Sequence, residues 1–121
     1  MLSINRKLYD GIIAHCLAGG AKESCGIMAG KGERVEKVYN MANVSDKPEI
    51  CYFMDPAEQL KVFKDIRNSG LDMLAIFHSH INCPAYPSAK DLELAFYPDA
   101  KYVIIAVQNG RVSEFRVFFV I

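Results

Sequence analysis

Neither sign of charge dominates this chain. Lys and Arg together number 14 and Asp and Glu number 14, a formal net charge of zero across 121 residues. A nucleic-acid footprint needs a basic excess gathered on one face, so no DNA or RNA partner is expected. The opening residues MLSINRKLYD lack the apolar stretch of a secretory signal, and the expected location is the cytoplasm. The longest apolar run, around residues 102–107, is far too short to cross a bilayer, so no membrane association is expected. The four cysteines, Cys16, Cys25, Cys51 and Cys83, form no CxxC pair. They read as reduced thiols, mostly small core residues, although a Cys51–Cys83 disulfide stays open at this point. Repeats, linkers and low-complexity segments are absent as well. Residues 1–121 therefore read as one domain, long enough to bury a core without staples.

What the chain does have is concentrated between residues 78 and 91. Two of its three histidines stand in His78-Ser79-His80, with Ser88 and Asp91 following. The preceding run LDMLAIF, residues 71–77, is mostly apolar and reads as a buried strand. Residues i and i+2 of a strand share a face, so His78 and His80 aim at one point as the strand ends. Two neutral imidazoles and one carboxylate, with a position left open, make the ligand set of a catalytic zinc site. A structural zinc site would be closed by four ligands, usually rich in cysteine.

A plainer reading applies to each piece. Lone histidines are more often core or surface residues than ligands. Ser88-Ala-Lys-Asp91 is an ordinary capping box for a helix beginning near Ala89, with Pro87 closing the loop before it. Capping and ligation are compatible, because a carboxylate has two oxygens and a helix start favours an anion. His78-x-His80-x-x-Cys83 offers a rival third ligand, but Cys83 precedes Pro84 in a loop and a thiolate would make Asp91 redundant. Ser79 points to the opposite face and reads as structural, and His15 as a surface or packing residue.

Around the motif, residues 5–17 read as a helix with Leu8, Ile12 and Cys16 on one side, ended by Gly19-Gly20. Residues 24–29 read as a strand, Gly30-Lys31-Gly32 as a turn, residues 35–41 as a second strand and residues 50–53 as a third. Asp55-Pro56-Ala57-Glu58 is a strong helix start, with Leu60, Phe63 and Ile66 as the apolar face and Gly70 as the stop. After the motif strand come a helix over residues 89–96, a strand over 102–107 and a final strand over 112–121. Asn109-Gly110 pairs the last two as a hairpin. The expected architecture is α/β, with helices interleaved around a mixed sheet.

The order Glu23, then His78-x-His80, then Ser88-x-x-Asp91, standing as ESCGIMAG followed by FHSHINCPAYPSAKD, resembles the signature of the JAMM (MPN-plus) zinc metalloproteases. The resemblance spans essentially the whole chain, with Ile81 where many members carry proline. It implies a three-layer α/β/α sandwich like that of cytidine deaminases and one zinc per chain held by His78, His80 and Asp91. It further implies peptidase or isopeptidase activity on the C-terminal tail of ubiquitin or a ubiquitin-like protein. By the same resemblance Glu23 is the general base and acid; its plainer reading is a solvated carboxylate beside Lys22. Ser88 is then the hydrogen-bond donor to the oxyanion.

The short stretch after Asp91 leaves no room for the insertions with which larger members grip ubiquitin. The chain therefore looks like the compact prokaryotic members, and the expected partner is a small ubiquitin-like sulfur-carrier protein with a Gly-Gly tail. Such a tail would lie extended along a sheet edge. Two rivals belong to other classes. A non-catalytic MPN scaffold usually lacks metal ligands, which this chain keeps; a zinc deaminase needs H-x-E and P-C-x-x-C, which it lacks.

Overall fold

The computed structural model describes residues 2–93, 95–97 and 99–119. Its elements are α1 (Arg6–Ala18), β1 (Cys25–Lys31), β2 (Arg34–Met41), α2 (Pro56–Asn68), β3 (Asp72–Ile81), α3 (Ala89–Glu93), β4 (Lys101–Gln108) and β5 (Arg111–Phe119). The strands form a five-stranded sheet in the order β2-β1-β3-β4-β5. β3 and β4 run parallel, whereas the β1–β2, β1–β3 and β4–β5 pairs are antiparallel. The mixed α/β sandwich expected from the sequence is the one observed. No helix among the described residues is long and apolar enough to cross a membrane.

Alternation along the strands feeds two cores. On one face, Ile12 and Cys16 of α1 pack with Met28, Ala75, Phe77, Val103 and Ile105. On the other, Val62 and Ile66 of α2 pack with Cys25, Ile27, Ile76 and Tyr102. Phe77 and Ile76 are neighbours on β3 and belong to opposite cores, as the two-residue period requires. Side chains cap both long helices: Asp55 begins α2 as its sequence indicates, whereas Asn5, expected within the first helix, stands just outside it as the cap. Asn5 Oδ1 accepts from the Leu8 N–H at 2.8 Å, and Asp55 Oδ2 from the Glu58 N–H at 3.0 Å, with Pro56 in the first turn.

Several expectations need correction. The buried stripe of α2 is Val62 and Ile66, with Phe63 beside it, while Leu60 is 54% exposed. Both stripes satisfy helical spacing, and the roll toward the sheet selects one. Residues 50–53 form no strand; the Phe53 carbonyl accepts from the Val44 N–H, the Asn43 side chain bonds Cys51 and Phe53, and an isolated bridge joins Asn43 to Met54 just beyond the segment. The turn between β1 and β2 falls at Gly32-Glu33, and Gly30 lies inside β1 next to a register shift. A Cβ on Gly30 would collide with the Arg34 carbonyl, so glycine serves close strand approach there rather than a turn. α3 ends at Glu93; of the longer helix expected, Leu94 lies outside the described residues and 95–96 are not helical. β5 is described to Phe119, and Val120 and Ile121 lie outside. The hairpin stands as read: Asn109 and Gly110 both adopt positive φ, 52° and 73°, the pairing a tight type I′ turn needs.

Candidate metal centre

β3 delivers two imidazoles to the α2 side of the sheet just before it ends. His78 and His80 are 1% and 4% exposed, and their ring centroids lie 4.9 Å apart. Their register partners on β4 are Ile104 and Ala106, which close the floor with apolar groups. Tyr52 stacks on His78 at a centroid separation of 4.5 Å. His80 Nδ1 lies 2.9 Å from the Pro84 carbonyl. A carbonyl only accepts, so Nδ1 carries a proton, and in the neutral ring that can ligate a metal Nε2 is the lone-pair nitrogen.

Asp91 arrives through the capping box. Ser88 Oγ accepts from the Asp91 N–H at 3.0 Å, and Asp91 Oδ2 accepts from the Ser88 N–H at 2.9 Å. This reciprocal lock turns the carboxylate onto both imidazoles. Oδ2 is 2.9 Å from His80 Nε2, and Oδ1 is 3.2 Å from His78 Nε2. The three residues offer ligand atoms that all lie within 4.8 Å of one another. A tetrahedral zinc with bonds of roughly 2.0–2.1 Å spaces its donors by about 3.3 Å, close to both His–Asp distances.

Satisfaction of the buried groups gives an independent test of fit. His78 Nδ1 and Nε2 are buried without a hydrogen-bond partner, because the approach of Asp91 is close but misaligned. Glu23 Oε1, beside the start of β1, is buried and unpartnered as well. Each such group costs roughly 1–3 kcal/mol. A cation among these donors would satisfy His78 Nε2, and the donor set fits one.

The electrostatics agree. Burial pulls His78 below its ordinary value, keeping the ring in the neutral form that can ligate. Burial also opposes charge on His80, but the Asp91 carboxylate and the Pro84 carbonyl outweigh it and hold that ring above its ordinary value. Asp91 would be raised by desolvation, yet the two imidazoles and the Ser88 N–H hold it well below the usual carboxylate range. Desolvation pushes Glu23 up to about 8, with His80 pulling it down and Asp91 adding to the rise.

Residues 5–118 match the family described as prokaryotic homologs of the JAB domain. The chain belongs to that family. It is 32% identical, over 123 aligned positions, to a CysO-cysteine peptidase of Mycobacterium tuberculosis, covering 100% of this chain and 84% of the relative. It is 38% identical over 111 positions to a probable TtuB-protein conjugate cleaving protease of Thermus thermophilus, covering 92% and 74%. Among solved structures, a protein of Desulfitobacterium hafniense superposes with a TM-score of 0.85 at 36% identity, covering 98% of this chain and 84% of that one.

In this JAB domain the residues singled out from the sequence converge in part through local structure and in part through long-range pairing. His78, His80 and Asp91 meet directly, and Glu23 is only 4% exposed, not a solvated carboxylate. Ser88 is exposed, and its hydroxyl oxygen accepts from Asp91, leaving its own hydrogen free to donate outward. Cys83 is exposed and falls outside the one group of metal-binding candidates among the described residues. All four cysteines are free, so Cys51 and Cys83 are not paired. His15 lies on α1, its Nε2 3.1 Å from the Cys25 carbonyl and its ring edge-on to Phe77. Tyr52 and Asn43 were not legible as site residues. Tyr52 falls within the expected strand 50–53 and Asn43 in the polar stretch before it, and neither position carries a local motif.

Proposed function

We propose that this JAB domain is a zinc peptidase that hydrolyses the peptide or isopeptide bond after the C-terminal Gly-Gly of a small ubiquitin-like sulfur-carrier protein. One observation carries the reading: three donor residues converge on a point where buried imidazole nitrogens lack partners, with an unpartnered buried carboxylate nearby. One zinc per chain would be held by His78, His80 and Asp91. When bound, zinc supplies Lewis-acid polarisation of the scissile carbonyl and lowers the pKa of a water to about 7. Glu23 accepts a proton from the attacking water and passes it to the leaving amine, from a site that keeps bulk water away from its carboxyl. Ser88, with its hydroxyl hydrogen free, donates to the developing oxyanion, worth a few kcal/mol for a single donor of this kind. Pro84 keeps His80 in the required tautomer.

The substrate class is supported by the relatives' names, which describe cleavage of a cysteine adduct and of protein conjugates. A purely non-catalytic scaffold would have no use for the buried, unpartnered carboxylate of Glu23 or the orphaned nitrogens of His78, which only weaken its fold.

The test is metal analysis joined to intact-mass assay. The His78→Ala/His80→Ala variant loses zinc; Glu23→Gln keeps zinc and fold but loses at least about a hundredfold in turnover. Zinc-loaded parent protein trims a diglycine-tailed carrier bearing a C-terminal extension and cuts linked ubiquitin dimers poorly. Stoichiometric zinc in the double variant would refute the ligand assignment. Cleavage of ubiquitin dimers with extended carriers left whole would refute the substrate class.

A further inference from the structure

The carboxyl tip of Glu23 has no hydrogen bond at Oε1 to hold it, so its placement comes from the main chain beneath it. Four hydrogen bonds grip that main chain. The Glu23 N–H donates to the Pro48 carbonyl at 2.7 Å, and the Glu23 carbonyl accepts from Asn43 Nδ2 at 2.9 Å. The Ser24 N–H donates to Ser79 Oγ at 2.8 Å, and the Ser24 carbonyl accepts from the Ser79 N–H at 2.9 Å.

Ser79 stands between the two histidines and faces away from them, fully buried. The regular β1–β3 register reaches its end at Cys25 opposite His78. One residue further, the Ser24 N–H meets the Ser79 side chain instead of a backbone carbonyl. The hydroxyl thereby extends the grip of β3 to the residue next to Glu23. The strand that presents the imidazoles also fixes the carboxylate's distance from them.

Asn43 works from the other side. Its Nδ2 donates to the Glu23 and Cys51 carbonyls, at 2.9 and 3.1 Å, and its Oδ1 accepts from the Ser45 and Phe53 N–H groups, each at 3.0 Å. Both amide hydrogens and both acceptor positions are used, which also fixes the orientation of the amide. Cys51 and Phe53 flank Tyr52, the ring stacked on His78. One side chain therefore ties the backbone of Glu23 to the wall behind the first imidazole.

We propose that Ser79 and Asn43 are positioning residues for Glu23, a role that rests on the proton-transfer reading of Glu23 given above. Neither touches a reacting atom. Their effect is geometric, and a displacement of about 1 Å in a reacting group is enough to lower turnover a hundredfold.

The test compares Ser79→Ala, Ser79→Thr and Asn43→Asp in zinc-loaded protein. Ser79→Ala removes the acceptor for Ser24. Ser79→Thr retains it. Asn43→Asp keeps shape and acceptors but loses both donors. Ser79→Ala and Asn43→Asp are expected to keep parental zinc content and KM while kcat falls about 10- to 100-fold, the range for outer-shell partners. Ser79→Thr restores kcat, and amide hydrogen exchange at Ser24 quickens in Ser79→Ala while Ile76 stays protected. If Ser79→Ala fails to fold, Asn43→Asp carries the same expectations. Parental kcat in the folded variants, a loss that tracks zinc content or KM, or a threonine variant no better than alanine would overturn the proposal. A zinc-loaded parent that cleaves nothing would instead overturn the reading of Glu23 itself.

Discussion

Residues 75–80 of β3 divide between two surroundings. Ala75, Phe77 and Ser79 face α1, where Phe77 is fully enclosed among apolar side chains and the Ser79 hydroxyl is paired with Ser24. Ile76, His78 and His80 face the opposite way, and there His78 is just as buried with neither ring nitrogen hydrogen-bonded. Burial is equal on the two sides, and satisfaction is not. The α1 face is where the apolar packing of β3 stabilises the fold without unmet polar groups. The other face holds His78 with both ring nitrogens unpaired.

Truncation should separate the two faces most sharply. Phe77→Ala is expected to lower stability by about 3–5 kcal/mol, the usual range for a buried aromatic, read from the shift in denaturant midpoint. The metal-free protein with His78→Leu should show the opposite sign, a gain of about 1–2 kcal/mol from removing unsatisfied nitrogens. Equal losses in both variants would erase the distinction between the faces.

Zinc reverses the second result. At free zinc about a hundredfold above Kd, binding adds about 2.7 kcal/mol to the parent protein. Thermal unfolding should show that gain in the parent and none in the His78→Leu variant.

A separate effect concerns pH. Glu23 is raised from 4.5 to about 8 in the folded, metal-free chain, chiefly by burial. A carboxyl raised on folding contributes stability that is fully present below its unfolded value and lost as pH rises through its folded one. The unfolding midpoint of metal-free protein should therefore fall between pH 4.5 and about 8, and Glu23→Gln should flatten that slope. An unchanged slope in the variant would mean Glu23 is not the buried titrating group.

The mildest probe is thiol labelling. Burial pushes Cys16 and Cys25 up to about 12, while Cys83 is exposed and Cys51 is partly so. Cys83 should react first in native protein and Cys51 more slowly, with Cys16 and Cys25 reacting only on unfolding. Early modification of Cys25, the register partner of His78, would show that the site side of β1 opens.

The amino-acid order alone determined the features that depend on neighbours in the chain. Strand alternation put His78 and His80 on one side. The capping box turned Asp91 inward, and Asp55-Pro56 started α2. Asn109-Gly110 closed the last hairpin. Each is a matter of backbone period or of hydrogen bonds spanning three or four residues, so no knowledge of the remaining chain is needed. Glu23 could be picked out from the acidic residues by family resemblance only, because its place beside the imidazoles comes from pairing β1 with β3. Helical spacing put Leu60 on the buried stripe of α2, and Val62 takes that place because the sheet supplies the surface against which the helix rolls. The segment 50–53 looked like a strand from its composition, but Asn43 takes up the Cys51 carbonyl and the Phe53 N–H that a neighbouring strand would have bonded. Only the tertiary structure could decide these points, because each depends on contacts made outside the element concerned, and side-chain spacing within one element carries no record of them.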